Sequence, residues 1–160
     1  MSATAAAETE RLRFLREVTE LEARYLAQTD ARLFATPLSV AQVQRLPSEP
    51  DTAERVDAFV ARLGRVQDGL TDKLLPALLR WLAEPIGPVI DNLNRAERLG
   101  WLNSTDDWLR LRQLRNRMIH EYVKDPAVLS DALNAGHAAV PMLLGVAKAL
   151  CAEVDARLAP

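Results

Sequence analysis

Apolar side chains recur at helical spacing along most of this chain, and that periodicity limits the possible folds more than any other feature. One stripe near the N-terminus contains Leu12, Leu15, Val18, Leu21, Tyr25 and Leu26, and a second contains Val56, Phe59, Val60, Leu63, Val66 and Leu70. Runs of β-branched residues are absent, and Ala, Leu, Glu and Arg dominate, which favours helices over strands. We therefore expect an all-α protein, built as an antiparallel bundle of four or five helices.

Capping residues and prolines predict where the helices begin and end. We expect helices over about Glu8–Phe34, Asp51–Leu82, Val89–Leu99, residues 105–122 and Pro126–Arg157, with a short turn near Val40–Arg45. Ser104 and Asp125 are suited to cap the last two helices, and Asp51 the second. Pro76 should kink or divide the second helix, because proline lacks the N–H that a helix interior needs. Gly100 is a typical stop signal.

The length and the termini predict one domain in a reducing compartment. A chain of 160 residues suits a single domain with its own core, and we expect residues 1–7 to be flexible. No apolar run approaches the roughly 20 residues that span a bilayer, and the start lacks the features of a secretion signal. The single cysteine, Cys151, excludes an internal disulfide. We therefore expect a cytoplasmic protein without a membrane partner.

The charge of the chain is low but uneven. The formal net charge of −2 excludes a protein that coats nucleic acid by electrostatics alone, because such proteins are strongly basic. Four arginines are nevertheless concentrated within eight residues, at positions 110, 112, 115 and 117. An acidic chain with one basic cluster is typical of local phosphate capture.

Arg115 stands in an unusual place within this cluster. In the predicted helix 105–122, the apolar stripe is formed by Leu114, Met118, Leu111, Tyr122, Trp108 and Ile119. Arg115 falls inside that stripe, while His120 lies on the neighbouring face, one turn beyond Asn116. A permanent cation aimed at an apolar face is costly unless it is paired or has a task. The pattern leaves open a structural arginine, paired with a carboxylate such as Asp91 or Glu97, or a functional one.

Several common kinds of site are missing from the sequence. The six glycines are scattered and form no phosphate-binding loop. His120, His137 and Cys151 cannot complete a zinc set, and Lys124 stands where a zinc-protease helix needs its second histidine. His137 lies among alanines, which favours a structural role. We expect neither a metal nor a cofactor.

The arrangement of Arg115, Asn116, His120 and Tyr122 resembles the signature of the HEPN family (higher eukaryotes and prokaryotes nucleotide-binding domains). It is most similar to small bacterial HEPN proteins that are encoded beside a minimal nucleotidyltransferase as toxin–antitoxin pairs. The resemblance covers about Ala96–Asp125 and includes a Leu-Gly-Trp-Leu turn at residues 99–102. Outside that segment only the helical plan and the chain length agree.

The resemblance implies a homodimer in which the motif helices face one another and RNA is cut without metal in the shared cleft. His120 would transfer the proton at the ribose 2′-hydroxyl or at the leaving oxygen. Arg115 would hold the scissile phosphate, and Asn116 would orient the imidazole or a phosphate oxygen. Tyr122 matches the tyrosine that the partner nucleotidyltransferase modifies with AMP in some of these pairs, which silences the toxin.

The chemistry is consistent with such a reaction. A histidine titrates near neutral pH, and the planar fork of an arginine matches two phosphate oxygens. Arg112 and Arg117 would add contacts to RNA phosphates, although a solvated surface is an open alternative for Arg110 and Arg117. Two other functions also remain open: a non-catalytic helical protein that binds nucleotide or presents a substrate to a nucleotidyltransferase, and a plain helical interaction module.

Overall fold

The computed structural model describes residues 2–120 and 124–160, and of His120 it describes the backbone only. These residues form helices and loops, with no strand among them, which confirms the all-α prediction. The helices are α1 (Ala3–Leu33), α2 (Val40–Gln44), α3 (Pro50–Gly69), α4 (Leu75–Trp81), α5 (Val89–Arg98), α6 (Thr105–His120) and α7 (Pro126–Leu158). A short 3₁₀ helix covers Leu46–Ser48.

The predicted capping residues open the last two helices. The Asp107 N–H donates to Ser104 Oγ over 3.1 Å at the start of α6. The Ala127 N–H donates to Asp125 Oδ1 over 2.9 Å at the start of α7, where Pro126 is the first helical residue. Gly100 follows α5 with a φ of 81°, a left-handed conformation that glycine adopts without strain. The residues that the sequence predicts to cap the starts of α6 and α7 are therefore confirmed.

Two helices begin elsewhere than predicted. The first starts at Ala3 rather than near Glu8, because Ser2 caps it and the alanines that follow have the highest helix propensity. The flexibility expected of residues 1–7 stays a prediction. Helix α3 starts at Pro50, with Glu49 at the cap position and Asp51 inside the first turn. Proline is favoured at the first helical position, since an N–H there has no partner within the helix.

The predicted second long helix is divided just before Pro76, which lies in the first turn of α4. Helices α3 and α4 are joined by one π-helical turn, Leu70–Leu74. The Leu75 N–H donates to the Leu70 carbonyl, five residues back. The wider turn accommodates the proline ring, which would otherwise meet the carbonyl four residues before it. The regular α-helix resumes at Leu75 and runs to Trp81.

The core lies where the long helices meet. Helix α1 packs against α3 and α7, and α6 packs against α7, α3 and α5. The largest fully buried side chains include Trp108, Phe59, Leu12, Leu26, Leu63, Leu70 and Met118. Met118 of α6 packs closely against Gly136 of α7, where a side chain would collide with it. These contacts fix the face that α6 turns toward solvent.

Helix α7 is the one helix in the described part of the chain that is long and apolar enough to cross a membrane. Length and composition alone are weak evidence, because the core helix of a bundle passes the same test. Twelve residues of α7 are buried within the structure, among them Leu133, Leu143 and Leu150. The expected cytoplasmic location and the expected lack of a membrane partner stay predictions.

Candidate functional site

Arg115 is held by two side chains of α3. Its Nη1 and Nη2 donate to the two carboxylate oxygens of Asp68, over 2.7 Å and 3.0 Å. Nη1 also donates to Gln67 Oε1 over 3.1 Å. The Arg115 side chain is 14% exposed and that of Asp68 is 46% exposed. The Arg115 guanidinium is therefore mostly buried, whereas the Asp68 carboxylate is exposed to solvent.

A chain of buried hydrogen bonds fixes the position of this pair. Gln67 is 1% exposed, and its Nε2 donates to the Trp108 carbonyl over 3.0 Å. The Trp108 Nε1 donates in turn to Thr71 Oγ1 in the π turn, over 2.9 Å. Gly64 lets the guanidinium lie close to α3, since a Cβ there would be 3.1 Å from Arg115 Nε. Because buried polar groups are satisfied in this way, α3 and α6 are joined in one register.

The carboxylate partner of Arg115 is Asp68, and neither of the two partners suggested by the sequence takes that position. Glu97 instead accepts the Thr105 N–H over 3.0 Å at the start of α6. That hydrogen bond holds the pKa of Glu97 below its ordinary value. Asp91 lies in the first turn of α5, beside Gly87. Asp68 is the partner because α3, and not α5, passes alongside the Arg115 face of α6.

A groove opens between α3 and α6 next to the pair. Its volume is about 520 Å³, and its lining includes Gly64, Asp68, Arg115, Met118 and Ile119. The sequence places Ile119 in the apolar stripe of α6, but the side chain is 54% exposed. A large apolar side chain and a guanidinium thus lie side by side at the solvent boundary.

The other predicted site residues on α6 are exposed. Arg112 lies one turn before Arg115 on the same side of the helix, and the side chains of Asn116 and Arg117 also face solvent. Arg110 pairs with Asp107 over 3.0 Å on the surface. Among the described residues, the site therefore consists of two neighbouring arginines, Arg112 and Arg115, beside the groove.

The remaining motif residues are described in part or not at all. His120 is the last residue of α6, and its side chain lies outside the described residues. Tyr122 also lies outside them. Their proposed convergence with Arg115 stays a prediction.

The second histidine has the structural place that the sequence indicates. His137 Nδ1 lies 2.7 Å from Asp30 Oδ1. Its ring stacks on Phe34 with the ring centroids 4.4 Å apart. These contacts join α7 to the end of α1.

Sequence reasoning missed Gln67, Asp68 and Thr71. One signal was present, because Gln67 falls between Leu63, Val66 and Leu70 in the apolar stripe of α3. An amide inside such a stripe needs a buried partner, in the same way as Arg115 does. A polar residue in the apolar stripe of α3 and another in that of α6 together predict a contact between the two side chains. The structure contains this contact, between Gln67 and Arg115.

Residues 2–120 and 124–160 contain no group of three or more His, Cys, Asp or Glu side chains that could hold a metal ion. Comparison of the chain with models of protein families, with curated proteins and with solved structures finds no match. The class that the fold defines is an all-helical protein with a buried polar network. The resemblance to the HEPN family rests on the residues of the motif and its flanks alone.

Proposed function

We propose that this chain is a metal-independent endoribonuclease of the HEPN toxin kind, paired with a minimal nucleotidyltransferase that silences it. Its fold would be the four- to five-helix HEPN bundle, and the active form a cytoplasmic homodimer with the motif helices facing one another. One observation supports this most directly: the Arg115 guanidinium lines an open groove, one turn from the exposed Arg112. Two cations at that spacing suit neighbouring phosphates or two oxygens of one phosphate.

The reaction would use the RNA's own 2′-hydroxyl as nucleophile. As His120 removes the hydroxyl proton, the 2′-oxygen attacks phosphorus and the bond to the 5′-oxygen breaks. A proton then reaches the 5′-oxygen from the conjugate acid or from the second subunit's imidazole, and a 2′,3′-cyclic phosphate remains. Arg115 would neutralise the charge that builds on the phosphoryl oxygens, and Asn116 would orient the imidazole or one of those oxygens.

Asp68 would compete with RNA for Arg115. A phosphate that takes both Nη atoms must displace the carboxylate that occupies them in the resting protein. The exchange is feasible because the Asp68 side chain is 46% exposed and can be hydrated once released. Gln67 would keep the guanidinium in place meanwhile, since its amide is buried and anchored to Trp108.

Regulation would act at Tyr122, two residues beyond His120. An AMP group there adds negative charge and bulk beside the cleft, and both repel RNA. The nucleotidyltransferase would therefore silence the toxin by covalent modification.

Cleavage of defined single-stranded RNA by the purified protein tests the proposal. We expect His120→Ala to lower the cleavage rate by about 10²–10⁴-fold, the usual contribution of a positioned acid–base group. Arg110→Gln is the matched control, because Arg110 lies on the same helix but pairs with Asp107 on the surface. Intact RNA with the wild-type protein, or an unchanged rate in His120→Ala, would contradict catalysis.

The Arg115–Asp68 pair favours a second candidate function. A cation that already has a carboxylate partner suits a non-catalytic helical protein that binds nucleotide or presents a substrate to a nucleotidyltransferase. Asp68→Asn distinguishes the two. It should tighten RNA binding several-fold under the first proposal, because the neutral amide competes less well for Arg115. Micromolar AMP binding, with intact RNA and no gain of RNA affinity in Asp68→Asn, would favour the second.

A further inference from the structure

Helix α1 has a second apolar face that the core does not use. Phe14, Leu21 and Tyr25 are 59%, 43% and 43% exposed, which makes them three of the eight exposed large hydrophobic residues in the described part of the chain. Val18 lies between them and is partly exposed. The spacing of these four residues, called here the α1 stripe, alternates between four and three. Alternating spacings of four and three are typical of the apolar positions along the seam of a coiled coil.

The core face of the same helix is separate. Leu12, Leu15, Leu26 and Leu33 are buried against α3 and α7, and they lie on a different side of the helix from the α1 stripe. The α1 stripe therefore cannot be explained as a frayed edge of the core. An apolar seam on a 31-residue helix implies a partner for that seam.

The charges beside the α1 stripe select the partner and its direction. Glu17 and Arg24 are exposed at equivalent positions beside the seam, one heptad apart. If a second α1 packs antiparallel, Glu17 of one helix meets Arg24 of the other, and the two-fold axis forms that pair twice. In a parallel pair, Glu17 would meet Glu22 of the other helix, which is repulsive. Charge complementarity thus favours a second copy in the antiparallel direction.

Tyr25 is already ordered for such a contact. The Arg62 guanidinium lies 5.4 Å from the centre of the Tyr25 ring, and Arg62 Nη1 also donates to the Tyr25 carbonyl over 3.1 Å. A ring that is fixed before association loses little conformational entropy on burial, as interface aromatics generally do.

We propose that the α1 stripe is a homodimer interface, in which two α1 helices pack antiparallel. Phe14 lies opposite Tyr25 of the partner subunit, and Val18 lies opposite Leu21 of the partner subunit. The interface shares no residue with the α3–α6 groove. It is therefore a second contact between subunits, separate from the pairing of motif helices in the proposed function, and it does not depend on RNA cleavage.

The oligomeric state of the purified chain, measured by light scattering across a dilution series, tests the interface. We expect Leu21→Glu to halve the mass of the wild-type assembly, with the dissociation constant of the α1 contact raised at least about tenfold. Leu21 is exposed, so helicity by circular dichroism should be unchanged. Ile90→Glu is the matched control, because Ile90 is similarly exposed but lies on α5.

Ile119→Glu separates this interface from one at the motif helix. If the wild type is a monomer, or if Ile119→Glu dissociates the dimer while Leu21→Glu does not, the α1 proposal is wrong. Dissociation by Leu21→Glu alone supports it.

Cysteine cross-linking tests the direction. Val18→Cys subunits mixed with Leu21→Cys subunits should form a disulfide, whereas each variant alone should not. A parallel pair gives the reverse, since each variant then faces its own copy. The native Cys151 does not interfere, because it is buried and burial raises its pKa to about 11. Cross-links within single variants, and none in the mixture, would overturn the antiparallel arrangement.

Discussion

Two arginines of this protein each make a bidentate contact with an aspartate on another helix, but the charges around the two contacts differ. Arg115 of α6 donates to both carboxylate oxygens of Asp68 of α3. Arg16 of α1 donates from Nε and Nη2 to the two carboxylate oxygens of Asp155 of α7, over 2.9 Å and 2.8 Å. Both arginines line surface depressions, of about 520 Å³ and 260 Å³.

The difference lies in what else each guanidinium touches. Arg16 has a second carboxylate, Glu20, so its site has two anions for one cation. Asp155 contributes most to raising the pKa of Arg16, against the lowering effect of burial. Arg115 has one carboxylate and the neutral amide of Gln67. An incoming phosphate must displace one anion at Arg115 and two at Arg16.

A bidentate ion pair does not by itself show whether an arginine is available to a ligand. We expect the sum of the charges and the exposure of the anion to decide how readily a phosphate displaces the carboxylate. Arg115 is presented by a buried, neutral hydrogen-bond chain, and its single anion is at the solvent boundary.

The Arg16 site should be closed to reagents. Cys151 is buried beside it, and burial raises the pKa of its thiol to about 11, so at pH 8 roughly one thiol in a thousand is ionised. We expect Cys151 to react with a thiol reagent more than about 100-fold more slowly in the folded protein than in denaturant. Rapid stoichiometric labelling of the folded chain would show that the helices around Arg16 open readily.

Replacing each of the two arginines should lower the free energy of unfolding by a different amount. In Arg115→Met the Gln67 Oε1 loses its partner inside the protein, and we expect a loss of about 2 kcal/mol of unfolding free energy. Arg16→Met should cost less than about 1 kcal/mol, because its pairs are more exposed and the freed carboxylates regain water. Urea denaturation measures both. Equal losses would show that the two ion pairs do not differ in their contribution to stability.

Replacing the buried Gln67 amide should lower the stability of the protein even when the side-chain volume is kept. Gln67→Met keeps the volume but removes the hydrogen bonds to Trp108 and Arg115, and we expect a loss of about 1 kcal/mol. Gln44→Met, at an exposed position on α2, is the control and should change stability by less than about 0.5 kcal/mol. A neutral effect of Gln67→Met would mean that the network does not hold α3 and α6 together.

The smallest expected effect is at Glu22, beside Asp68 on the α1 side. Burial raises the pKa of Glu22 above its ordinary value, while Arg65 and Lys73 lower it. Because the folded-state pKa is raised, the wild type loses stability as pH rises through that pKa. Glu22→Gln should therefore be more stable than the wild type at pH 8, by less than about 0.5 kcal/mol, and the advantage should vanish at pH 4. An advantage that grows toward low pH would contradict this sign.

Much of the scaffold around the site could be predicted because its causes are local. Ser104, Asp125, Pro126 and Gly100 act within one turn of the backbone, and each terminates or opens the helix expected of it. The π turn before Pro76 was not predicted, since proline can be accommodated by a kink, a break or a wider turn. Only the packing of both flanking helices selects among these.

The helical class, the position of the motif and the need of Arg115 for a partner or a task follow from the residues alone, because periodicity and charge are properties of neighbouring residues. The identity of that partner as Asp68, the exposure of Ile119 and the second apolar face of α1 are visible only in the folded chain. These depend on which helices lie side by side. Asp68 and Arg115 are 47 residues apart, and their contact exists because the buried faces of α3 and α6 exclude other arrangements.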